Sequence, residues 1–360
     1  MTIPITTAAM LREFCPARPK TRGRLPLAVG CVLALLLVGQ QLSADTTRTQ
    51  TIQLTRGWNA VFLEVYPLEA NPTLLFQGTP VDIVASYYTH ASSAQFIGNP
   101  SGDLFKKEGW GVWYAPTRPD AFLKSLHAIY GQQGYLMHAK TDYTLTINGG
   151  AVPPSIRWVA NEYNFVGFSV RGTGAPTFNQ FFSGSAAHNH NKIYRLTDGA
   201  WRRVLDPTAE SMKSGEAFWI YCAGASQYTG PLAVETTVRG GLFISTAGDE
   251  LTLRNHSGHP LSATVEHVPS GTNPVPLSLV IQLVGATDDA VQTVATAKPE
   301  GAWTQALPPL EAGAALRMPL EVRSQDLRVG VQSSLLKIST DLGTETWIPV
   351  VTTRKDLEDK

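Results

Sequence analysis

Apolar residues in this chain come in short packets cut off by glycine, proline or asparagine, and that spacing leaves little room for anything but β-strands. Thr51-Ile-Gln-Leu-Thr55, Ala60-Val-Phe-Leu-Glu-Val65, Gly111-Val-Trp-Tyr114, Tyr143-Thr-Leu-Thr-Ile147 and Phe165-Val-Gly-Phe-Ser-Val170 are examples. Each alternates or forms a short apolar stretch of strand length. The 31 glycines and 24 prolines among 360 residues supply the turns, and charged residues make up only 16% of the chain. Helical periodicity is scarce. Asp120-Ala-Phe-Leu-Lys-Ser-Leu-His-Ala-Ile129 sets Phe122, Leu126 and Ile129 at helix spacing behind Pro119, and Pro72-Thr73 and Pro176-Thr177 can each open a short helix.

The packets repeat as a set. Gln53-Leu-Thr-Arg-Gly-Trp-Asn-Ala-Val-Phe-Leu-Glu-Val65 is echoed by Arg157-Trp-Val-Ala-Asn-Glu-Tyr-Asn-Phe-Val-Gly-Phe-Ser-Val170, with Trp58-Asn59 matching Tyr163-Asn164. A Pro-Thr step follows in both. The units close with Gly131-Gln-Gln-Gly-Tyr-Leu-Met-His138 and Gly215-Glu-Ala-Phe-Trp-Ile-Tyr221. Self-similarity of this kind predicts a duplicated small β-module, each copy with a short helix, over 46–152 and 153–235, with Val152-Pro-Pro-Ser155 at the seam. The aromatic of each Trp/Tyr-Asn step is expected to pack on its module's core while the asparagine supports a turn.

From Val238 the texture changes and aromatics nearly vanish. Leu251-Thr-Leu-Arg-Asn255, Ser262-Ala-Thr-Val-Glu266, Leu277-Ser-Leu-Val-Ile-Gln-Leu283, Ala315-Leu-Arg-Met-Pro-Leu-Glu-Val322 and Thr346-Trp-Ile-Pro-Val350 form a spaced strand series. An immunoglobulin-like β-sandwich over 238–352 follows, with a polar tail over 353–360. Leu251-Thr-Leu-Arg-Asn-His-Ser-Gly-His-Pro-Leu261, with Met318-Pro-Leu-Glu-Val322 and Ile338-Ser-Thr-Asp-Leu-Gly-Thr-Glu345, resembles sandwich modules of the PapD or ASH type. The N-terminal pair, through Gly57-Trp-Asn59, the Pro-Thr steps and Gly215-Glu-Ala-Phe-Trp-Ile-Tyr221, resembles repeat modules of large secreted bacterial proteins. That resemblance implies no activity. The fold class expected is therefore all-β: two related small modules, then a sandwich.

Residues 1–44 read as an address. A basic stretch from Arg18 to Arg24 precedes the apolar run Leu25–Val38, and Gly39-Gln-Gln-Leu-Ser-Ala44 ends on a small residue. This is the pattern of a secretory signal, with cleavage expected after Ala44. The apolar run of about 14 residues is shorter than the roughly 20 that span a bilayer. Export to the periplasm, the cell surface or the medium is the expected destination, with no membrane span in the mature chain. Five of the 29 basic and one of the 29 acidic residues lie in 1–44, which leaves 24 and 28 beyond it and a net charge of −4. Such a body does not attract phosphate backbones, so nucleic acid is not an expected partner. Cys15 and Cys31 lie in the leader. Cys222 alone cannot form an internal disulfide, so the fold rests on its core, where Cys222 itself is expected to be buried.

The sequence carries no Gly-x-Ser-x-Gly elbow, no His-Glu-x-x-His, no phosphate-cradling loop and no dinucleotide fingerprint. No cofactor is expected. His188 and His190 sit two residues apart in a polar loop, and on an extended segment both imidazoles can face one metal ion; no third ligand lies close in sequence, so exposed loop histidines are the plainer reading. His256 and His259 flank a turn in the same manner. The carboxylates Asp103, Glu108, Asp120, Glu162, Asp206 and Glu216 would be the acids of a secreted glycan hydrolase, a chemistry that needs two of them facing one another. The stronger signal is aromatic. Six of the eight tryptophans fall in the duplicated region. Trp58, Tyr87, Trp110, Trp113, Trp158, Trp201 and Trp219 are the candidate binding residues, because flat aromatic faces stack on sugar rings and anchor protein interfaces; core packing competes for each of them. The expected function is that of an exported, non-catalytic binding or scaffolding protein whose partner is a glycan or a cell-surface protein. A secreted glycan hydrolase and a structural subunit of a surface assembly are the alternatives.

Overall fold

The computed structural model describes residues 46–88, 109–189, 192–245, 248–284, 291–296 and 301–355, and the side chains of 279–284 and 291–296 are not among them. The leader 1–44 and residues 356–360 of the expected tail lie outside these. All described residues belong to one compact unit. The chain is all-β, and none of its helices among the described residues is long and apolar enough to cross a membrane.

The packets form the strands expected of them. In the first module, β1 (Thr47–Leu54) leads into β2 (Gly57–Leu63), then β3 (Tyr66–Pro67), the helical turn α1 (Pro72–Leu75), β4 (Val81–Tyr87), β5 (Trp110–Tyr114), β6 (Gln133–Ala139) and β7 (Tyr143–Gly150). Strands β2, β6, β4 and β5 make an antiparallel sheet in that order. Strands β1, β7 and β3 form a second sheet. Along β1 the alternation is strict at its end: Gln50, Ile52 and Leu54 are buried while Thr49, Thr51 and Gln53 are exposed. Ile52 and Leu54, with Leu145 and Ile147 of β7, close over Val61, Leu63, Val84, Trp113 and Met137 of the four-stranded sheet. The Gln50 side chain ties the two sheets. Its amide donates to Phe62 O (2.9 Å) and accepts from Glu64 N (2.8 Å), satisfying backbone groups at the edge of β2.

The second module runs through β8 (Glu162–Gly167), the helix α2 (Phe178–Phe182), β9 (Ile193–Thr197), β10 (Ala200–Arg203) and β11 (Ala217–Cys222). Its sheet order is β8-β11-β9-β10. In both sheets the first strand pairs with the fourth, the fourth with the second and the second with the third, and a short helix follows the first strand. Both helices have side-chain caps: Asn71 accepts from Thr73 N, and Thr177 forms a capping box with Gln180. The two asparagines of the repeated step also do the same work. Asn59 Oδ1 accepts from Thr55 N (2.9 Å) while its Nδ2 donates to Thr55 O and Gly57 O; Asn164 Oδ1 accepts from Val159 N (2.8 Å) while its Nδ2 donates to Val159 O and Glu162 O. Each pins the turn that enters its strand.

One helix expected from sequence is absent. Asp120 to Ile129 holds only a 3-10 turn at Ala121–Leu123, and Phe122 is 81% exposed. Backbone partners outside the segment win: Ser125 N and Leu126 N both donate to Val112 O, and Ile129 N donates to Ala70 O. Leu126 and Ile129 still reach the core, as an extended chain.

The remaining chain is a β-sandwich. One sheet has the order β12 (Leu232–Thr236), β14 (Asp249–Asn255), β19 (Ala315–Val322), β16 (Leu277–Val284), β17 (Val291–Thr296); the other has β13 (Leu242–Phe243), β21 (Glu345–Arg354), β20 (Gly330–Thr340), β15 (Ala263–Pro269), β18 (Trp303–Ala306). Leu251, Leu253, Val265, Leu320, Leu336 and Ile348 are among the side chains that fill its core. Strand β12 pairs with β14 along its whole length, so the sandwich begins at Leu232 and not at the expected Val238. The sandwich meets the second module through backbone bonds, Glu345 N to Ser169 O and Arg171 N to Gly343 O. It meets the first through Arg48, which pairs with the buried Glu64 at 2.5 Å and lies over the Trp347 ring.

Candidate functional site

The two four-stranded sheets face one another, and most of the expected aromatic residues meet between them. From the first sheet come Trp58, Phe62, Tyr87 and Trp110; from the second come Tyr163, Phe165, Tyr194, Trp201 and Trp219. Trp219 is central and 1% exposed. Its ring lies 5.0 Å from Tyr87, 5.0 Å from Phe165, 6.2 Å from Trp110 and 6.3 Å from Trp201. The strand alternation explains the convergence, since Phe165 and Trp219 are register partners and so are Tyr87 and Trp110. Close approach is possible because Gly167 has no side chain: a Cβ there would stand 2.3 Å from Phe62 Cβ. Phe62 N donates to Gly215 O across the same seam.

This placement corrects part of the sequence reading. Trp219 holds the two sheets together. Trp113 is 2% exposed in the outer core of the first module, where its indole N–H donates to Thr73 Oγ1 (3.1 Å). Trp158 is 8% exposed in the outer core of the second, donating to Tyr228 O (2.6 Å). All three are buried and offer no open face: Trp113 and Trp219 because their sheets are covered on both sides, and Trp158 because it fills the second module's core. Trp58, Tyr87, Trp110 and Trp201 are half-buried at the rim of the layer. Trp58 lies edge-on to His138, whose Nδ1 is 2.6 Å from the buried carboxylate of Asp82, itself paired with Arg118.

At one rim the seam opens into a groove of about 210 Å³ lined by Phe62, Tyr87, Gln132, Gln133, Arg157 and Phe165, among others. Half-buried Tyr87 gives it an aromatic wall, while Phe165, 8% exposed, belongs to the packed layer. Gln132 stands in the left-handed region, φ 56°, held there by its backbone N–H to Leu63 O (2.6 Å) and its amide to Glu64 O (2.9 Å). Gln133 donates to Ser86 Oγ (2.5 Å). Arg157 is exposed on its lining. The groove thus combines an aromatic ring, two amides held by hydrogen bonds and one guanidinium, with Ser155 also on its lining. Of the expected residues only Tyr87 lines this groove. Gln132, Gln133, Arg157 and Phe165 were missed as site residues, and the Gly-Gln-Gln-Gly step was their one local signal.

A larger cleft of about 560 Å³ lies between the second module and the sandwich, with Ser185, Tyr228, Asn255, His256 and Ser257 on its walls. Ser185 Oγ is 2.6 Å from His188 Nδ1, which has the look of a hydrolytic pair. The His188 ring is wedged against Trp158 and Phe182, 4.1 and 5.0 Å away, and burial lowers its pKa to about 4. Its Nε2 is buried without a partner. Burial favours the neutral imidazole, and among the described residues no carboxylate is hydrogen-bonded to its ring. His190, the other half of the metal candidate, lies outside the described residues. Among those described, no three His, Cys, Asp or Glu side chains gather as ligands. Instead of converging with His259 on an ion, the His256 ring stacks on Tyr228. Cys222 is buried, and its thiol donates to Gly224 O.

Three carboxylates of the hydrolase reading, Asp120, Asp206 and Glu216, have local partners, and Glu162, on β8, is half-buried. Asp120 is held by Arg118 (2.9 Å), which with the guanidinium hydrogen bonds keeps its carboxyl below the usual range. Asp206 caps a turn at Thr208 and Ala209. Glu216 is paired with Arg195 at 2.9 Å, and burial raises its pKa in spite of that pairing. Asp103 and Glu108 lie outside the described residues.

No protein-family model matches the sequence, and no curated protein matches it. Three solved structures are distantly similar. One is a Salmonella enterica SafA pilin in complex with the SafB chaperone, at 11% identity and a TM-score of 0.23 over 36% of this chain; the match spans 56% of the Salmonella chain. The second is the C-terminal domain of the Streptococcus pyogenes antigen I/II-family protein AspA, at 10% identity and a TM-score of 0.21 over 86% of this chain and 93% of that one. The third is a DUF4785 family protein of Legionella pneumophila, at 9% identity and 0.18 over 85% and 89%. No functional conclusion rests on these likenesses.

Proposed function

We propose that this chain is an exported, non-catalytic glycan-binding protein, built on two copies of one β-module with a sandwich as its base, and that the seam groove between the modules receives the sugar. The observation that carries the reading is the groove's composition: half-buried Tyr87 on its wall, Gln132 and Gln133 fixed beside it, and a single cation, Arg157, exposed on its lining. With one charge among the side chains just named, the ligand expected is neutral or weakly acidic. The shared strand order and the matching hydrogen bonds of Asn59 and Asn164 support the duplication. The basic and apolar run of residues 18–44 supports export.

Glycan-array binding of the purified chain tests this. Tyr87→Ala and Arg157→Ala should each weaken binding about tenfold or more, which corresponds to roughly 1.4 kcal/mol for a contact of this kind. Phe122→Ala, at an exposed site on the 3-10 turn, should leave binding unchanged. Equal binding by all four proteins would remove the groove from the account.

A further inference from the structure

Both outer edges of the first module's four-stranded sheet have backbone groups bonded within the chain. On β2, Phe62 O accepts from the Gln50 amide and Phe62 N donates to Gly215 O. On β5, Val112 N donates to Ser125 Oγ (3.0 Å), and Val112 O accepts from Ser125 N and Leu126 N. Strand β10, at the end of the second module's sheet, is different. It pairs with β9 alone, through a turn at Asp198 and Gly199, whose φ values are 50° and 73°. Val204 N donates to Ile193 O (2.9 Å), so these two residues form a hydrogen-bonded pair. Antiparallel pairs alternate, which turns the N–H and C=O of Arg203 and Trp201 away from β9. Among the described residues, no backbone or side-chain group bonds to them there.

The charges along this edge are also unmet. Residues 192–203 hold four basic residues and one acidic residue, in a chain whose net charge beyond residue 44 is −4. Arg195 is taken by Glu216. Lys192, Arg202 and Arg203 are exposed, and among the described residues none of them pairs with a carboxylate. Strand alternation puts Arg203 on the face of Tyr194, its register partner, and Arg202 on the opposite face. Tyr194 is half-buried and edge-on to Tyr163, 5.7 Å away, so Arg203 stands beside an aromatic floor. Just past the strand, Leu205 is 84% exposed. Arginines on an open edge oppose pairing with a like-charged edge, which argues against a second copy of β10 as the occupant. The same arginines, one on each face, suit a strand that carries carboxylates on both of its faces. A row of outward backbone donors and acceptors matches another backbone, which a sugar chain does not have.

We propose that β10 is a docking edge for an extended, acidic segment of a partner protein, which adds to the second module's sheet as a further strand and sets carboxylates against Arg202 and Arg203. No residue of β10 lines the seam groove, and the proposal stands apart from the glycan reading. Fluorescence polarisation with the full chain and labelled strand-length peptides tests it. The probes are a peptide of valine, threonine and glutamate, the same peptide with lysine for glutamate, and the acidic peptide N-methylated at alternate amides. The acidic peptide should bind and the lysine peptide should not. N-methylation keeps the charge and removes edge donors, so it should weaken binding about tenfold or more. Arg202→Glu combined with Arg203→Glu should weaken the acidic peptide by about as much and allow the lysine peptide to bind. If that charge reversal does not fold, Arg202→Gln with Arg203→Gln should show the same loss of the acidic peptide. Failure of the acidic peptide to bind, equal binding of its N-methylated form, or unchanged binding by the arginine variants overturns the proposal. Alginate, an acidic polysaccharide, is the last probe: binding of alginate through these arginines with no binding of the acidic peptide also overturns it.

Discussion

Asn59 and Asn164 show how much a single side chain can fix. Each bonds two or more backbone groups in the turn that enters the first strand of a four-stranded sheet, and each does so with the same atoms in the same roles. Removing such a side chain leaves backbone donors and acceptors without partners, at about 1–3 kcal/mol. Asn59→Ala and Asn164→Ala are therefore expected to lower stability by about that amount each, read from denaturant midpoints. Asn164, 2% exposed and facing less water, should show the larger loss. Aspartate keeps the acceptor and loses the donor, so Asn164→Asp should fall short of full rescue.

At the scale of elements, the layer of rings between the two four-stranded sheets is the device on which the rest depends. Trp219→Ala removes a side chain that touches both sheets and is expected to cost about 3–5 kcal/mol. Trp201→Ala, at the half-buried rim, should cost clearly less. Calorimetry on both variants checks the order; equal losses would mean that the layer is not centred on Trp219. Local alternation made the strands legible, because β1, β14 and β21 each show their buried face within a few residues. The two matching turns were legible in Trp58-Asn59 and Tyr163-Asn164. What covers a strand's second face is another element far along the chain, and so the burial of Trp113, Trp158 and Trp219 was not legible. The same reason hid the groove, whose walls come from Tyr87, Gln132 and Phe165, brought together only by the docking of the modules. Residues 120–129 misled because helix spacing and an extended chain crossing a sheet edge can bury the same Leu126 and Ile129.

For the whole molecule, no disulfide staples the described residues, and Cys222 is a free, buried thiol. Cohesion rests on four hydrophobic clusters and on polar contacts where the sandwich meets the modules. Burial there has a cost in acid. His188 has its pKa lowered to about 4, and burial lowers that of His256 and His267 as well. An unfolded histidine takes up a proton near pH 6.5, whereas the folded His188 does not until about 4. Its contribution to stability is therefore complete above about pH 6.5 and is lost progressively as pH falls towards 4. Glu64 and Glu216, raised by burial, work the other way, since their protonation favours the folded chain. Urea midpoints should fall between neutral pH and about 4.5, and His188→Phe should flatten that fall, because its ring would sit among Trp158, Phe182 and Tyr228 without a proton to refuse. An unchanged slope in that variant would show that His188 is not the group responsible.

The central claim is that the tryptophans join the modules and the sugar meets the seam groove. Hydroxyl-radical footprinting of the full chain, with and without a glycan that the array identifies, asks this directly. The account predicts that bound glycan shields Tyr87 while the reactivity of Trp58 and Trp201, at the other parts of the rim, stays the same. Shielding of Trp58 or Trp201 with Tyr87 left reactive would contradict it.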